Sequence, residues 1–241
     1  MTDPTVARYR SVCDRIAAAC GRVGRAPGEV RLVAVSKSVP PDRIRAAAAA
    51  GARRFGENYV QEWRAKRDAL ADLDGIEWHF IGRLQRNKVR DAVGFALVHS
   101  VADGRIAAAL SDEAARRRRV LPVLLQVRLG AEPTKAGVAP SEVAEAVRTL
   151  RALPGLVLRG LMTIPPPLAP EEVRPLYREL RVLRDAQGQP SDLGELSMGM
   201  SADFEVAVEE GATLVRVGSA VFGPRGAAGA PAAVASGKEG T

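Results

Sequence analysis

Short apolar segments alternate with stretches of helical periodicity from one end of the chain to the other, and this alternation constrains the fold most. The strand-like segments cover 30–36, 53–55, 78–81, 97–100, 121–127, 156–162, 195–197 and 214–217. The helical stretches between them cover 42–50, 59–70, 84–93, 104–117, 141–150, 171–186 and 202–210, and an extra N-terminal helix spans 5–23. Strands that alternate with helices build a parallel sheet covered by helices. Eight such units in 241 residues match a single closed (β/α)8 TIM barrel, whose usual size is about 250 residues. An open doubly wound sheet is the rival, but no G-x-G-x-x-G follows the first strand. Boundary signals agree with the pattern. Pro40, Pro41 and Asp42 open one helix and Gly51 closes it. Ser201 is expected to cap the helix that follows it, with Gly211 just past the end. The barrel is assigned to 1–223; the small-residue, low-complexity tail 224–241 is expected to be disordered.

Composition narrows the class. Hydrophobic residues make up 46% and charged residues 26%, values of a globular chain. No apolar run reaches the roughly 20 residues of a membrane span, and the first ten residues lack a secretory apolar region. A cytoplasmic protein without membrane contact is the expectation. Nothing in the chain reads as a separate oligomerising segment, so a monomer is expected. Cys13 and Cys20 lie about 10 Å apart along one helix, too far for an intrahelical disulfide. The net charge of +7 raises nucleic acid as a partner, yet only five of 35 cationic residues are lysine and alanines surround the arginines. The run Arg116 to Arg119 falls where a helix should end, where cations complement the helix C-terminus. Charge alone therefore does not support a nucleic-acid site.

In a parallel barrel the chemistry gathers at the C-terminal ends of the strands. The first strand runs straight into Lys37. A lysine at such a place loses hydration, which favours the neutral amine that attacks carbonyls. The seventh strand leads into Ser197-Met198-Gly199-Met200-Ser201 and the eighth into Arg216-Val217-Gly218-Ser219. Small residues at two neighbouring strand ends let backbone N–H groups approach an anion, and phosphate between strands seven and eight recurs in this fold. A reactive lysine beside a phosphate cradle suits a phosphorylated carbonyl compound. A sugar-phosphate aldolase and a pyridoxal-phosphate protein both satisfy that. Arg216 helps to choose: a permanent cation at a pyridine nitrogen would keep it unprotonated and weaken the ring as an electron sink. Phosphate charge balance, or a salt bridge to Glu57 or Asp203, is the alternative for Arg216. His79 and His99, with no cysteine cluster or HExxH, read as hydrogen-bonded core or rim histidines rather than metal ligands.

Seven stretches together are recognisable: LVAVSKSVP, GARRFGENYVQEW, WHFIGRLQRNKV, VHSV, EPTKAGV, RGLMTIP and LSMGMSADFEVAVEEGATLVRVGSAVFG. They are distributed along 30–223 from end to end, and the chain resembles the YggS/PROSC family of pyridoxal-phosphate homeostasis proteins. The resemblance implies a single barrel like the N-terminal domain of alanine racemase, with pyridoxal 5′-phosphate (PLP) held as a Schiff base on Lys37. It implies phosphate contacts from Ser201, Gly218 and Ser219, with Gly199 in the adjoining turn, and Arg216 toward the ring nitrogen. Asn58, Met162, Ser197 and Met198 are implied as pocket lining. Family members bind the cofactor without established turnover and are thought to buffer or deliver vitamin B6, which makes PLP-dependent apo-enzymes candidate partners. Arg83, Arg86, Arg128 and Ala102 depart from the family's usual residues, and Ser219 keeps the hydroxyl of a usual threonine. Lys135 or another lysine could in addition carry a second PLP.

A PLP-dependent amino-acid racemase or lyase is the competing function. Such a racemase needs a base on the second face of the ring, which in the related enzyme is a tyrosine from another domain. This chain offers Tyr9, Tyr59 and Tyr177, of which only Tyr59 adjoins a strand end. A carrier with little or no turnover is therefore the expected function, with no catalytic residue assigned.

Overall fold

All eight expected strands form, and every neighbouring pair is parallel. They are β1 (Arg31–Val35), β2 (Arg54–Glu57), β3 (Glu77–Phe80), β4 (Leu97–Val101), β5 (Leu121–Gln126), β6 (Leu156–Met162), β7 (Glu195–Ser197) and β8 (Leu214–Val217). They follow one another in sequence order, and β8 closes on β1. The computed structural model describes residues 3–130, 136–188 and 192–224. Lys135 and the tail beyond Pro224 lie outside the described residues.

The strands are buried on both faces, as a helix-covered parallel sheet requires. Val33, Leu97, Leu124, Met162 and Leu214 form a small apolar cluster within the barrel. Their sequence neighbours Ala34, Val98, Val123, Leu161 and Val215 belong to the larger core between strands and helices. This is the period-two alternation of a strand. The outer layer comprises α1 (Pro4–Arg22), α2 (Pro41–Ala49), α3 (Val60–Ala69), α4 (Val89–Ala92), α5 (Gly104–Arg116), α6 (Val143–Arg151), α7 (Pro170–Asp185), α8 (Phe204–Glu209) and α9 (Ser219–Phe222). The extra helix α1 starts at a cap, Asp3 accepting from the Thr5 N–H at 2.7 Å. It packs against α8 and α9 across the closing seam. Arg15 and Arg22 pair with Glu205 and Glu209 of α8.

Three elements differ from the sequence expectation. The strand expected over 53–55 runs on to Glu57, because Gly56 and Glu57 pair with His79 and Phe80. A Cβ on Gly56 would lie 3.0 Å from Ile81 and 3.1 Å from Val33, so the tight interior explains a glycine that hydrophobic patterning reads as a stop. The helix expected over 84–93 shrinks to a 3₁₀ turn, Arg86–Lys88, and the single turn of α4, in which only Val89 and Ala92 reach the core. The helix expected over 202–210 begins at Phe204 without a serine cap. Ser201 Oγ instead accepts the N–H groups of Gly218 and Ala220, each at 3.3 Å.

The arginine run does end a helix. Arg116 and Arg117 pair with Glu113 at 2.6 and 2.8 Å, and Arg117 and Arg119 donate to the carbonyls of Arg90 and Phe95. Cys13 and Cys20 are both free thiols. Among the described residues no helix is long and apolar enough to cross a membrane. No group of three or more His, Cys, Asp or Glu among them is placed to hold a metal ion.

Candidate functional site

The expected site residues come from five consecutive strands of the closed barrel: β6, β7, β8, β1 and β2. Closure places β1 between β8 and β2, which brings the first strand end beside the last. Lys37 follows β1 in a turn and is half-buried. Its neighbour Ser38 sits at φ 58°, a left-handed conformation uncommon outside glycine. That turn is fastened on both sides by α3. Lys66 donates to the Ser36 carbonyl, and Glu62 accepts from the Ser38 N–H.

The fastening is a buried charge cluster. Lys66 Nζ lies 2.8 Å from Glu57 Oε1 and 2.6 Å from Glu62 Oε1, and Ser36 Oγ donates to Glu57 Oε1 at 2.6 Å. Glu57 has no exposed surface and Lys66 almost none. Burial pushes the Glu57 carboxyl above its ordinary value, while Lys66 and the Ser36 hydroxyl pull it back. Sequence reasoning missed Lys66 and Glu62. Their spacing of four on one helix was the available signal.

The small-residue turns expected to face an anion are the β7–α8 and β8–α9 turns. Gly199 takes φ 93°, and a Cβ there would lie 2.6 Å from the Ala207 Cβ and 3.0 Å from the Phe204 Cα, so only glycine fits. Asp203 Oδ1 accepts the Met200 N–H at 2.6 Å and closes the turn. The Gly218 and Ala220 amides converge on Ser201 Oγ, and Ser219 opens α9. Gly218 packs against Val35, two residues before Lys37; a Cβ there would meet Val35 at 3.4 Å.

Arg216 is 4% exposed. Nη1 donates to Ser197 Oγ at 2.6 Å and Nη2 to the Thr163 carbonyl at 2.8 Å. The salt bridge to Glu57 or Asp203 weighed from the sequence does not form. Among the described residues no carboxylate lies within ion-pair distance of this guanidinium. Burial pushes its pKa down to about 10, still well above neutrality. Two of its five N–H donors are engaged.

Met162 closes β6 and is fully buried in the barrel-interior cluster, and Ser197 at the end of β7 has no exposed surface. Met198 differs from the expectation: its side chain belongs to the core between strands and helices. Alternation turns it away from the side Ser197 faces, so it offers the mouth only its backbone. Asn58 is half-buried and lines a cavity of about 1020 Å3 with Tyr59, Arg83, Arg86, Ser100 and Gln126. Gly82 abuts the Asn58 backbone so closely that a Cβ would lie 2.2 Å from the Asn58 oxygen. The cavity opens over the ends of β2 to β5, beside the arc that carries Lys37 and the two turns. Tyr59 is exposed at its rim, whereas Tyr177, on α7, is fully buried. His79 and His99 are core histidines bonded to each other at 2.9 Å.

Residues 13–226 match the family model described as alanine racemase, N-terminal domain. A pyridoxal phosphate homeostasis protein from Aquifex aeolicus is 47% identical over 222 residues, 90% of this chain and 97% of its own. The chain belongs to the pyridoxal phosphate homeostasis protein family. The Escherichia coli K12 member is 42% identical over 220 residues, 89% of this chain and 94% of its own. The structure of PipY from Synechococcus elongatus, solved with PLP bound, superposes with a TM-score of 0.78 at 40% identity, over 88% of this chain and all of that one. Alanine racemase from Corynebacterium glutamicum shares the fold, with a TM-score of 0.63 at 18% identity, and the match spans 60% of that enzyme.

Proposed function

We propose that this chain binds pyridoxal 5′-phosphate on the Lys37 amine and acts in vitamin B6 homeostasis as a carrier rather than an enzyme. The observation that carries the reading is the arc itself: a fastened Lys37 turn, converging amides at Ser201 and a buried Arg216 occupy adjoining strand ends. The residues fit the group. Glycine at 199 leaves the turn open to close approach, and the amides and hydroxyls of Ser201, Gly218 and Ser219 are the neutral donors a phosphate accepts from. When bound, the group supplies an aldehyde that condenses with an amine and a ring that withdraws electrons. Arg216 holds a cation where the ring nitrogen would lie, which disfavours proton transfer to that nitrogen. Met162 and Ser197 would line the floor and Asn58 the side. Tyr59 is the tyrosine nearest the mouth and is exposed, a poor setting for a base that must be held in place. Delivery to PLP-dependent apo-enzymes, a cytoplasmic location and a monomeric state belong to the same reading.

Borohydride reduction of the PLP-loaded protein, followed by peptide mapping, is expected to place a phosphopyridoxyl group on Lys37. Absence of that adduct would remove the anchor from the proposal. Alanine racemisation that disappears in Lys37→Ala would favour the competing enzyme. The double variant Ser201→Ala, Ser219→Ala is expected to bind PLP about tenfold more weakly or worse, with little change in thermal stability. Equal affinity in a titration would place the phosphate elsewhere.

A further inference from the structure

Beneath the mouth, side chains from four strands form one polar chain through the barrel. Arg216 of β8 donates to Ser197 Oγ of β7 at 2.6 Å, and Ser197 Oγ lies 2.8 Å from His99 Nδ1 of β4. His99 Nε2 lies 2.9 Å from His79 Nδ1 of β3, and His79 Nε2 lies 3.7 Å from Glu77 Oε2 at the other end of β3. His99 and Ser197 are fully buried, His79 is 3% exposed, and Glu77 reaches solvent.

The chain has a single self-consistent direction. Arginine only donates, so Ser197 Oγ accepts at that end and has one proton to place. The remaining contact of that hydroxyl is His99 Nδ1, which must accept. His99 is then protonated at Nε2 and donates to His79 Nδ1. His79 is in turn protonated at Nε2 and points its N–H toward the Glu77 carboxylate. The reverse order would strand the Ser197 proton and set a His79 lone pair against a carboxylate.

We propose that Glu77, His79 and His99 are positioning residues for Arg216, fixing the Ser197 hydroxyl so that its lone pairs face the guanidinium. The proposal rests on the reading that Arg216 faces the ring nitrogen of bound PLP. A chain of neutral dipoles that ends on an exposed carboxylate stabilises a buried cation lacking a carboxylate of its own. Burial keeps the rings neutral, and the surrounding arginines add to it. Arg54 of β2 pairs with Glu77 at 2.9 Å, and Arg31 of β1 pairs with Glu195 of β7. Burial lowers both imidazoles, His99 well below its ordinary value; Arg54 and Arg31 add to it at His79 against the opposing pull of Glu77, and His79, Arg216 and Arg31 add to it at His99.

The chain has two histidines, so nitrogen-15 correlation spectra of the full-length protein report on these rings alone. Both are expected in the neutral Nε2–H form, with and without PLP. Glu77→Leu, at an exposed position, is expected to disorder the His79 tautomer and weaken PLP binding about three- to tenfold. Glu77→Gln keeps an acceptor and is expected to preserve the tautomers and bind within about twofold of the parent. An Nδ1–H form at either ring, or unchanged PLP affinity in Glu77→Leu, overturns the proposal. A parent protein that binds no PLP would instead overturn the function proposed above, and the tautomer result in the cofactor-free protein stands apart from it.

Discussion

Lys66→Met is expected to cost about 3–5 kcal/mol of folding stability, the usual result of stranding one member of a buried ion pair. For a chain of this size that is a fall in Tm of roughly 6–20 °C. The substitution removes the ammonium that holds Glu57 Oε1 at 2.8 Å and the Ser36 carbonyl beside it. Glu57 has no exposed surface, so its charge has no route to water. The double variant Glu57→Leu, Lys66→Met removes both charges and is expected to recover most of the loss. Thermal melts of parent, single and double variants check this; a single variant within about 1 kcal/mol of the parent would show the pair to be dispensable. Because Lys66 also fastens the turn that carries Lys37, the single variant is expected to retain PLP less well.

Folding stability is expected to drop by up to about 2 kcal/mol between pH 6.5 and 5.5 on account of the two histidines. Both imidazoles are lowered from their ordinary value by burial. A histidine whose folded pKa lies below its unfolded one binds fewer protons when folded. Stability then falls as pH drops through the unfolded value near 6.5, and the loss grows until the folded pKa is reached. Glu57, raised by burial, titrates in the opposite sense and gains stability as pH falls. The carboxylates lowered by arginine partners, such as Glu113 and Glu171, lose theirs only below about pH 4.5. Denaturant titrations at the two pH values, on the parent and on His79→Gln, His99→Gln, separate these effects because the Glu57 contribution is common to both proteins. An equal slope in the two proteins would show that the rings do not stay neutral when folded.

The barrel was legible because its signal repeats. Eight apolar segments at short intervals need a covered parallel sheet, and a run such as 30–36 leading straight into Lys37 marks a strand end without any tertiary information. The small residues Gly199, Ser201, Gly218 and Ser219 could be read the same way, since glycine and serine at a strand exit let the backbone turn tightly. Element ends were less legible. Gly56 reads as a strand stop, yet it lies in the ladder because the interior leaves no room for a Cβ. Ser201 reads as a helix cap, yet the nearest unpaired amides belong to a turn 17 residues later.

The order of strands, the residues at their C-terminal ends and hence the membership of the site were set by local sequence, through hydrophobic period and turn chemistry. Which way each side chain faces was set only when the barrel closed. A strand of three residues buried on both faces, such as β7, carries no hydrophobic contrast to show that Ser197 turns inward and Met198 outward. The cluster around Glu57 and the chain from Glu77 to Arg216 likewise join residues from separate elements, up to 139 positions apart in the latter. The buried Arg216 charge is tolerable because barrel closure supplies Ser197 Oγ and the Thr163 carbonyl, and partners on other strands leave no periodic trace in the sequence, whereas the Glu62–Lys66 pair keeps its i, i+4 spacing.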